Sequence, residues 1–275
     1  MRLFGNITPL SGLLAVLLLS ILLPGCSLEK KGMPGALDPY WDVIWAGDIY
    51  LADDHVIGSE NTLVIRPGTR VHFTRSSSRV SLIVYGGFEI LGERDNPVEF
   101  LSDNGLTNEI YVYSYPQYEN NGFSWTDLGD NKLATKVDLT LEGCRVARME
   151  ARLAARVILR NSVVGLLDCG NFSSLDAEYV SFDRSSFPSL SSGDLNLVFG
   201  GLSSAVVHRC NFYGGSGRPL SPVPVVEDYT STNLDLSGNY WRTNSSSYIG
   251  STLVFNDTFG SFLTTLPSSY AFPVR

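Results

Sequence analysis

A short pattern of strand, turn and strand recurs along this chain, and it limits the possible folds more than any other feature. Residues 62–73 and 81–92 each contain two apolar strands around a Gly turn, and they superpose with an offset of 19. Five later segments place two apolar residues five positions apart around a polar or small turn; they are 141–146, 159–164, 175–180, 207–212 and 236–241. The interval from position 175 to position 207 is 32 residues, which we interpret as two coils of 16. A period of about 16 to 19 residues with little helix between the strands is typical of a β-solenoid, whose coils stack on one another.

Several of these motifs also resemble a known family, the pectate-lyase-like proteins. The resemblance is carried by Thr-Leu-Val-Ile-Arg-Pro-Gly-Thr at 62–69, Leu-Ile-Val-Tyr-Gly-Gly at 82–87, Asn-Pro-Val-Glu-Phe at 96–100 and Asn-Tyr-Trp at 239–241. It implies an all-β fold, the right-handed parallel β-helix, which we expect over residues 40–275. Because the open ends of a solenoid need caps, we expect one cap at 38–60 and the other at 242–275. A two-sheet β-sandwich is the alternative.

Residues 144–160 are open to two interpretations. Val146, Met149, Leu153 and Val157 follow helical spacing, and arginines repeat every four positions. The apolar residues between 149 and 159 also alternate with mostly charged neighbours, as residues in strands do. The neighbouring coils favour strands, and a helix is the alternative.

The N-terminal segment, residues 1–30, carries the pattern of an export signal. Arg2 is followed by an uncharged run whose apolar block, residues 13–23, has the length of a signal-peptide core and is too short to span a bilayer. The block ends in Leu-Pro-Gly-Cys-Ser at 23–27, which resembles the lipobox of bacterial lipoproteins. The resemblance implies cleavage before Cys26 and lipidation of Cys26.

We therefore expect a signal peptide at 1–25, a tether at 26–39 and a domain held outside the cytoplasm by a lipid anchor, at the outer membrane or cell surface. An uncleaved N-terminal membrane anchor is the alternative. The formal net charge of −8 argues against nucleic acid as a partner, because phosphate binding needs a basic surface.

The remaining cysteines are Cys144, Cys169 and Cys210. The repeat places Cys144 and Cys210 at the same position four coils apart, which is roughly 19 Å at about 4.8 Å per coil. A disulfide needs Cα atoms within about 7 Å. We therefore predict buried free thiols.

An aromatic-rich insertion at about 104–136 is the first candidate binding site. Aromatic rings on a loop suit the CH faces and hydroxyls of sugars, so we predict contact with polysaccharide. The alternative is an extra strand packed on the solenoid. The candidate residues here are Tyr111, Tyr113, Tyr115, Tyr118 and Trp125, with Phe123 beside them.

A row of arginines is the second candidate, since guanidinium groups bind carboxylates and sulfates in pairs of hydrogen bonds. Its members are Arg145, Arg148, Arg152, Arg156 and Arg160, opposed in sequence by Glu150 alone. A solvated charged face is the alternative. We expect no cofactor and no metal site; calcium is a weak alternative, resting on the scattered acids Asp53, Asp54, Asp127, Asp130, Asp168, Asp176 and Asp183.

We expect a non-enzymatic envelope or surface protein that binds a glycan or an envelope protein. The family resemblance implies a polysaccharide lyase or glycoside hydrolase as the alternative, yet the polygalacturonase motifs are missing and no motif selects Arg148 or Arg152 as a base. His208 stands between Val207 and Arg209 rather than between glycines. A structural scaffold or assembly subunit is the third possibility.

Overall fold

Strands from successive coils pair in parallel, so the chain winds into a parallel β-helix. The elements that the computed structural model describes are β-strands, apart from a 3₁₀ turn at Arg184–Ser186. The described residues are 26–29, 41–114, 121–170, 172–190, 197–200, 203–213, 226–228, 233–241, 249, 253–255, 261–263, 268 and 271–273. The predicted all-β solenoid is confirmed, and the β-sandwich alternative is wrong.

One sheet, sheet A, takes a strand from each described coil. Neighbouring strands are parallel except the first pair, which is antiparallel. In spatial order its strands are β1 (Cys26–Glu29), β2 (Trp41–Trp45), β5 (Asn61–Ile65), β8 (Gly87–Leu91), β11 (Gly122–Ser124), β14 (Leu139–Glu142), β16 (Arg156–Arg160), β18 (Ser174–Glu178), β21 (Ser204–His208), β24 (Asn233–Asp235) and β26 (Ser261–Leu263).

A second sheet, sheet B, forms the other two sides of the coils as two arms joined by two long strands, β15 (Arg145–Ala151) and β17 (Val163–Cys169). The first arm also holds β3 (Asp48–Leu51), β6 (Arg70–Phe73), β9 (Val98–Leu101), β12 (Thr126–Asp127), β19 (Ser181–Asp183) and β22 (Asn211–Tyr213). The second arm also holds β4 (His55–Ile57), β7 (Ser81–Val84), β10 (Glu109–Val112), β13 (Lys132–Thr135), β20 (Leu197–Phe199), β23 (Val226–Asp228) and β25 (Leu253–Phe255).

The core lies inside the coils because apolar residues alternate along each strand. In β7, Leu82 and Val84 are fully buried while their neighbours face outward. Aligned inward residues then stack from coil to coil, as the rings of Phe182, Phe212 and Trp241 do at centroid distances of 5.1 and 4.1 Å. Full burial of such a side chain stabilises the fold by about 1.5–3 kcal/mol.

The strand register corrects the predicted coil length. Leu63 pairs with Phe88 rather than with Leu82, so the offset across this coil is 25 and not 19. Leu82 instead pairs with Ile110 in sheet B. The segments 62–73 and 81–92 look alike because both alternate apolar residues, but they start on different sides of the solenoid.

The later coils correct the period again. Leu141 pairs with Leu159, as predicted, at a spacing of 18. Ser174 pairs with Ser204, so the long interval that follows is a single coil with an offset of 30 rather than two coils of 16. Part of the extra length, residues 184–190, lies outside the ladders after β19, where added residues do not change the stacking. Residues 144–160 form β15 and β16, so the strand interpretation is confirmed and the helix is wrong.

The ends of the solenoid differ from the prediction. Residues 41–57 form the first coil itself rather than a cap, and β1 covers the sheet A edge of that coil by pairing Cys26 opposite Trp45. The first four residues of the predicted tether are therefore a strand, because backbone pairing with β2 orders them. Residues 253–255 and 261–263 of the predicted C-terminal cap continue the two sheets. The predicted signal peptide at 1–25 lies outside the described residues.

Cys144, Cys169 and Cys210 are buried free thiols, as predicted. Cys144 and Cys210 do occupy equivalent positions, but strand register places them three coils apart rather than four. Burial raises the pKa of each of the three thiols to about 12. We expect none of them to react with a thiol reagent such as DTNB at pH 8 in the native protein, and all three to react in denaturant, because the thiolate is the nucleophile. Rapid labelling of any of the three in the native state would contradict their placement in the core.

Candidate functional site

Three tyrosines from two neighbouring coils lie together on the outside of the second arm of sheet B, and we call them the tyrosine face: Tyr85, Tyr111 and Tyr113. Ile110 and Val112 are fully buried in β10, so the tyrosines that alternate with them point outward. Tyr85 follows β7 one coil earlier and is 38% exposed. Ring centroids are 6.1 Å apart for Tyr85 and Tyr113 and 5.3 Å apart for Tyr111 and Tyr113.

The polar edge of this face combines phenol hydroxyls with the Glu109 carboxylate. The Tyr111 hydroxyl donates a hydrogen bond to Glu109. Burial, and then this bond, raise the pKa of Tyr111, and burial raises the pKa of Tyr113 as well. Both phenols therefore stay protonated at neutral pH, and the hydroxyl proton of Tyr111 is already donated to Glu109.

A cation adjoins the face on the next coil. The Lys136 ammonium lies 4.3 Å from the centroid of the Tyr113 ring. Lys136 makes no ion pair with a residue in the described part of the chain. The face thus presents flat rings, the hydroxyls of Tyr85 and Tyr113 and an ammonium side by side, and rings with such polar groups suit the CH faces and hydroxyls of sugars.

The structure brings together only part of the predicted aromatic site. Tyr111 and Tyr113 are in the face, while Tyr115 and Tyr118 lie outside the described residues. Trp125 lies in the turn between β11 and β12, with its ring against Gly143 and the Arg94 guanidinium 5.7 Å from its centroid. Trp125 is therefore not part of the tyrosine face.

The predicted insertion at 104–136 is not an inserted loop over most of its length. It contributes β10, β11, β12 and β13, which pair in register with the coils on either side. Phe123 of this segment is in the core, in edge contact with Phe88 at 4.8 Å between ring centroids. The alternating apolar residues of these strands place them in the ladders.

The five arginines do not form one row. Arg148 and Arg152 lie on the second arm of sheet B, Arg156 and Arg160 lie on sheet A, and Arg145 lies on the first arm. A spacing of four keeps residues on one side of a helix, but here the chain turns at 153–155 and continues on another face.

Carboxylates from the next coil pair with most of these arginines. Asp168 accepts two hydrogen bonds from Arg152, at 2.9 and 2.6 Å, and Glu150 is 3.0 Å away. Asp176 accepts one from Arg160 at 2.9 Å. The hydrogen bonds to Asp168 raise the pKa of Arg152, which makes this arginine harder to deprotonate and so less suited to act as a base. Arg148 donates to the Ser189 carbonyl at 3.3 Å.

The acidic residues considered for calcium do not converge within the described residues, where no group of three or more His, Cys, Asp or Glu is arranged to hold a metal. Asp127 pairs with Arg145 at 3.2 Å, and Asp183 accepts from the backbone of the 3₁₀ turn.

His208 contacts a carboxylate and a hydroxyl, the two groups that accompany the catalytic histidine of a serine hydrolase. Its Nε2 lies 3.0 Å from Asp235 Oδ2 and 3.3 Å from Ser237 Oγ. Burial would raise the pKa of Asp235, but hydrogen bonds from Ser237 and His208 lower it. Because the carboxylate and the hydroxyl meet the same ring nitrogen, these residues do not form the relay of a serine hydrolase, which needs both nitrogens.

Sequence reasoning missed Tyr85 and Lys136. Aligning 81–85 with 109–113, at an offset of 28, would have placed Tyr85 beside Tyr113.

Comparison with protein-family models, with curated proteins and with solved structures finds no match. Among the described residues, no helix has the length and apolar character that crossing a bilayer requires.

Proposed function

We propose that this chain is a lipid-anchored envelope or surface protein outside the cytoplasm, and that it binds polysaccharide through the tyrosine face without catalysing a reaction. The observation that carries the proposal is the assembly of Tyr85, Tyr111 and Tyr113 on one outer surface by two different coils. Single exposed apolar rings are ordinary on protein surfaces, whereas contiguous ones mark binding sites.

The anchor is supported by sequence and placement together. The lipobox-like segment ends at Cys26, and Cys26 begins the strand that covers the first coil. A lipid on Cys26 would thus hold the first coil close to the membrane and leave the later coils facing outward. The tyrosine face lies in the second and third coils, where a polymer of the envelope has access.

Binding is better supported than polysaccharide cleavage. A hydrolase needs a pair of carboxylates free to act on the substrate, and a lyase needs a base. On sheet A, Asp176 pairs with Arg160 and Glu178 pairs with Arg209 at 2.7 Å. Arg152, the candidate base, is held by Asp168. A scaffold without ligand is the remaining alternative.

Native electrophoresis of the detergent-solubilised protein through gels that contain neutral or uronic-acid polysaccharides tests the proposal. We expect a polysaccharide to retard the protein. We also expect Tyr85→Ala and Tyr113→Ala each to weaken retardation about tenfold, which corresponds to about 1.4 kcal/mol per ring. Because the rings are on the surface, the free energy of unfolding should change by less than about 1 kcal/mol.

Tyr50→Ala is the matched control, since Tyr50 is 65% exposed but lies on the first arm of sheet B, stacked on His72. It should leave retardation unchanged. An equal loss of retardation in all three variants would contradict specific binding by the tyrosine face. Clearing of the polymer around the band would show an enzyme, and unretarded migration in every gel would favour the scaffold.

A further inference from the structure

A notch interrupts the outer surface of sheet A at Gly122. The outward column through this residue consists of Val64, Glu89, Gly122, Thr140 and Ile158, aligned by strand register. Every other member of that column has a side chain. The missing side chain opens a groove of about 430 Å³ that crosses β8, β11, β14 and β16 along the solenoid axis.

The fold does not require a glycine at this position. Gly122 is not among the glycines with positive φ. A Cβ built there would meet only the Thr140 carbonyl oxygen, at an ordinary contact distance of 4.0 Å. Glycine in a strand weakens it, and such a glycine commonly marks a bulge or a place where another group approaches closely. Here the ladder is regular, and no described residue fills the space above Gly122.

The lining combines apolar, hydroxyl and carboxylate groups. Leu91, 46% exposed, and Ile158 supply apolar contact, while Ser124 and Thr140 supply hydroxyls. Glu89, at one end, makes no ion pair with a described residue.

The other end of the groove carries one charge of each sign, from Asp138 and Arg156. Asp138 accepts a hydrogen bond from the Arg156 backbone N–H. Arg156 also lines this end of the groove, and its guanidinium lies 3.8 Å from Asp176, a carboxylate that is not part of the lining. With Glu89, the lining holds two carboxylates and one guanidinium, so it is negative by one charge.

We propose that this groove is a second binding site, separate from the tyrosine face, and that it takes the rings of an amino sugar oligomer. The ring fits over the bare backbone of Gly122, its CH groups contact Leu91 and Ile158, and its hydroxyls meet Ser124 and Thr140. The ammonium groups are bound by Glu89 and Asp138. Three strand spacings of about 4.8 Å separate β8 from β16, which gives about 14 Å, the reach of two to three sugar rings.

The test is calorimetric titration of the full chain in detergent with a fully deacetylated glucosamine hexamer at pH 6, with cellohexaose as the oligomer of equal length without amines. We expect the glucosamine hexamer to bind and cellohexaose to bind at least tenfold more weakly. Gly122→Val should reduce affinity for the glucosamine hexamer at least tenfold, because it fills the notch. Glu89→Gln should reduce it several-fold.

Gly122→Val leaves the net charge unchanged, so general attraction between a cationic oligomer and an acidic protein would survive it. Ser204→Val, which places the same side chain on sheet A outside the groove, should bind normally, and so should Tyr113→Ala. Undiminished binding by Gly122→Val, or no binding by the wild type, would overturn the proposal. A lysine hexapeptide that binds as tightly as the glucosamine hexamer would overturn it in favour of a cationic peptide site.

Discussion

Replacing Gly86 with alanine is expected to cost about 4 kcal/mol or more of folding free energy, enough to leave much of the chain unfolded. A Cβ on Gly86 would lie 1.7 Å from the Asn61 carbonyl oxygen and 2.7 Å from that of Gly58. Both atoms belong to backbone, and the turn that carries them is closed by a hydrogen bond from Asn61 N–H to the Gly58 carbonyl. A flexible side chain could move aside, but this turn can move only if β5 moves with it.

Gly122→Ala provides the matched control, because its Cβ meets nothing closer than 4.0 Å. It should change the free energy of unfolding by no more than about 0.5 kcal/mol. The measurement is urea unfolding followed by circular dichroism for the wild type and both variants. Equal stability of Gly86→Ala and Gly122→Ala would show that the coils do not approach each other at Gly86 as described.

The contrast between these two glycines illustrates what the sequence could predict. Gly86 immediately precedes a strand of sheet A and Gly122 begins one, and composition does not distinguish them. The alternation of apolar residues predicted the strands and the all-β solenoid, because stacking of inward side chains requires that alternation whatever the coil length. It could not predict which glycine meets the backbone of the preceding coil.

The number of residues in each coil could not be predicted from the sequence for a related reason. The coils that begin at β14 and β16 both have an offset of 18 between paired strands, and there the predicted pairing of Leu141 with Leu159 is confirmed. From β8 to β11 the offset is far larger, because Glu89 pairs with Gly122. Turn residues outside the ladders can be added at little cost to stacking, since loop closure costs little per extra residue. A fixed period therefore fails wherever the turns vary.

The tyrosine face was predictable only where its members are close in sequence. Tyr111 and Tyr113 are two positions apart, so their clustering is visible before folding. Tyr85 and Lys136 come from the coils on either side, and no local pattern connects them to β10. The partner of Arg152 is likewise Asp168, which lies on the following coil, and for this reason arginines that look unopposed in sequence are paired in the structure.

The Asn131 side chain joins polar groups of two successive turns inside the solenoid. It is fully buried in the turn between β12 and β13. Its Nδ2 donates to the carbonyl oxygens of Phe100 and Leu128, at 3.1 and 2.9 Å. Its Oδ1 accepts from the Asn108 backbone N–H at 3.3 Å and from Ser102 Oγ at 2.7 Å. One side chain thus satisfies the polar groups of two successive turns.

Asn131→Leu keeps a similar volume but removes all of these bonds, so we expect a loss of about 3–5 kcal/mol, since buried groups left without a partner cost about 1–3 kcal/mol each. At least two such groups, the Phe100 carbonyl and the Asn108 N–H, would lose this partner. Ser102→Ala, at the part-buried edge of the same network, should cost only about 1 kcal/mol. Urea unfolding compares the two variants, and hydrogen exchange at the Asn108 amide should accelerate in Asn131→Leu well before global unfolding. A cost below about 1 kcal/mol for Asn131→Leu would mean that water replaces the amide and that the turns of successive coils are not joined by this side chain.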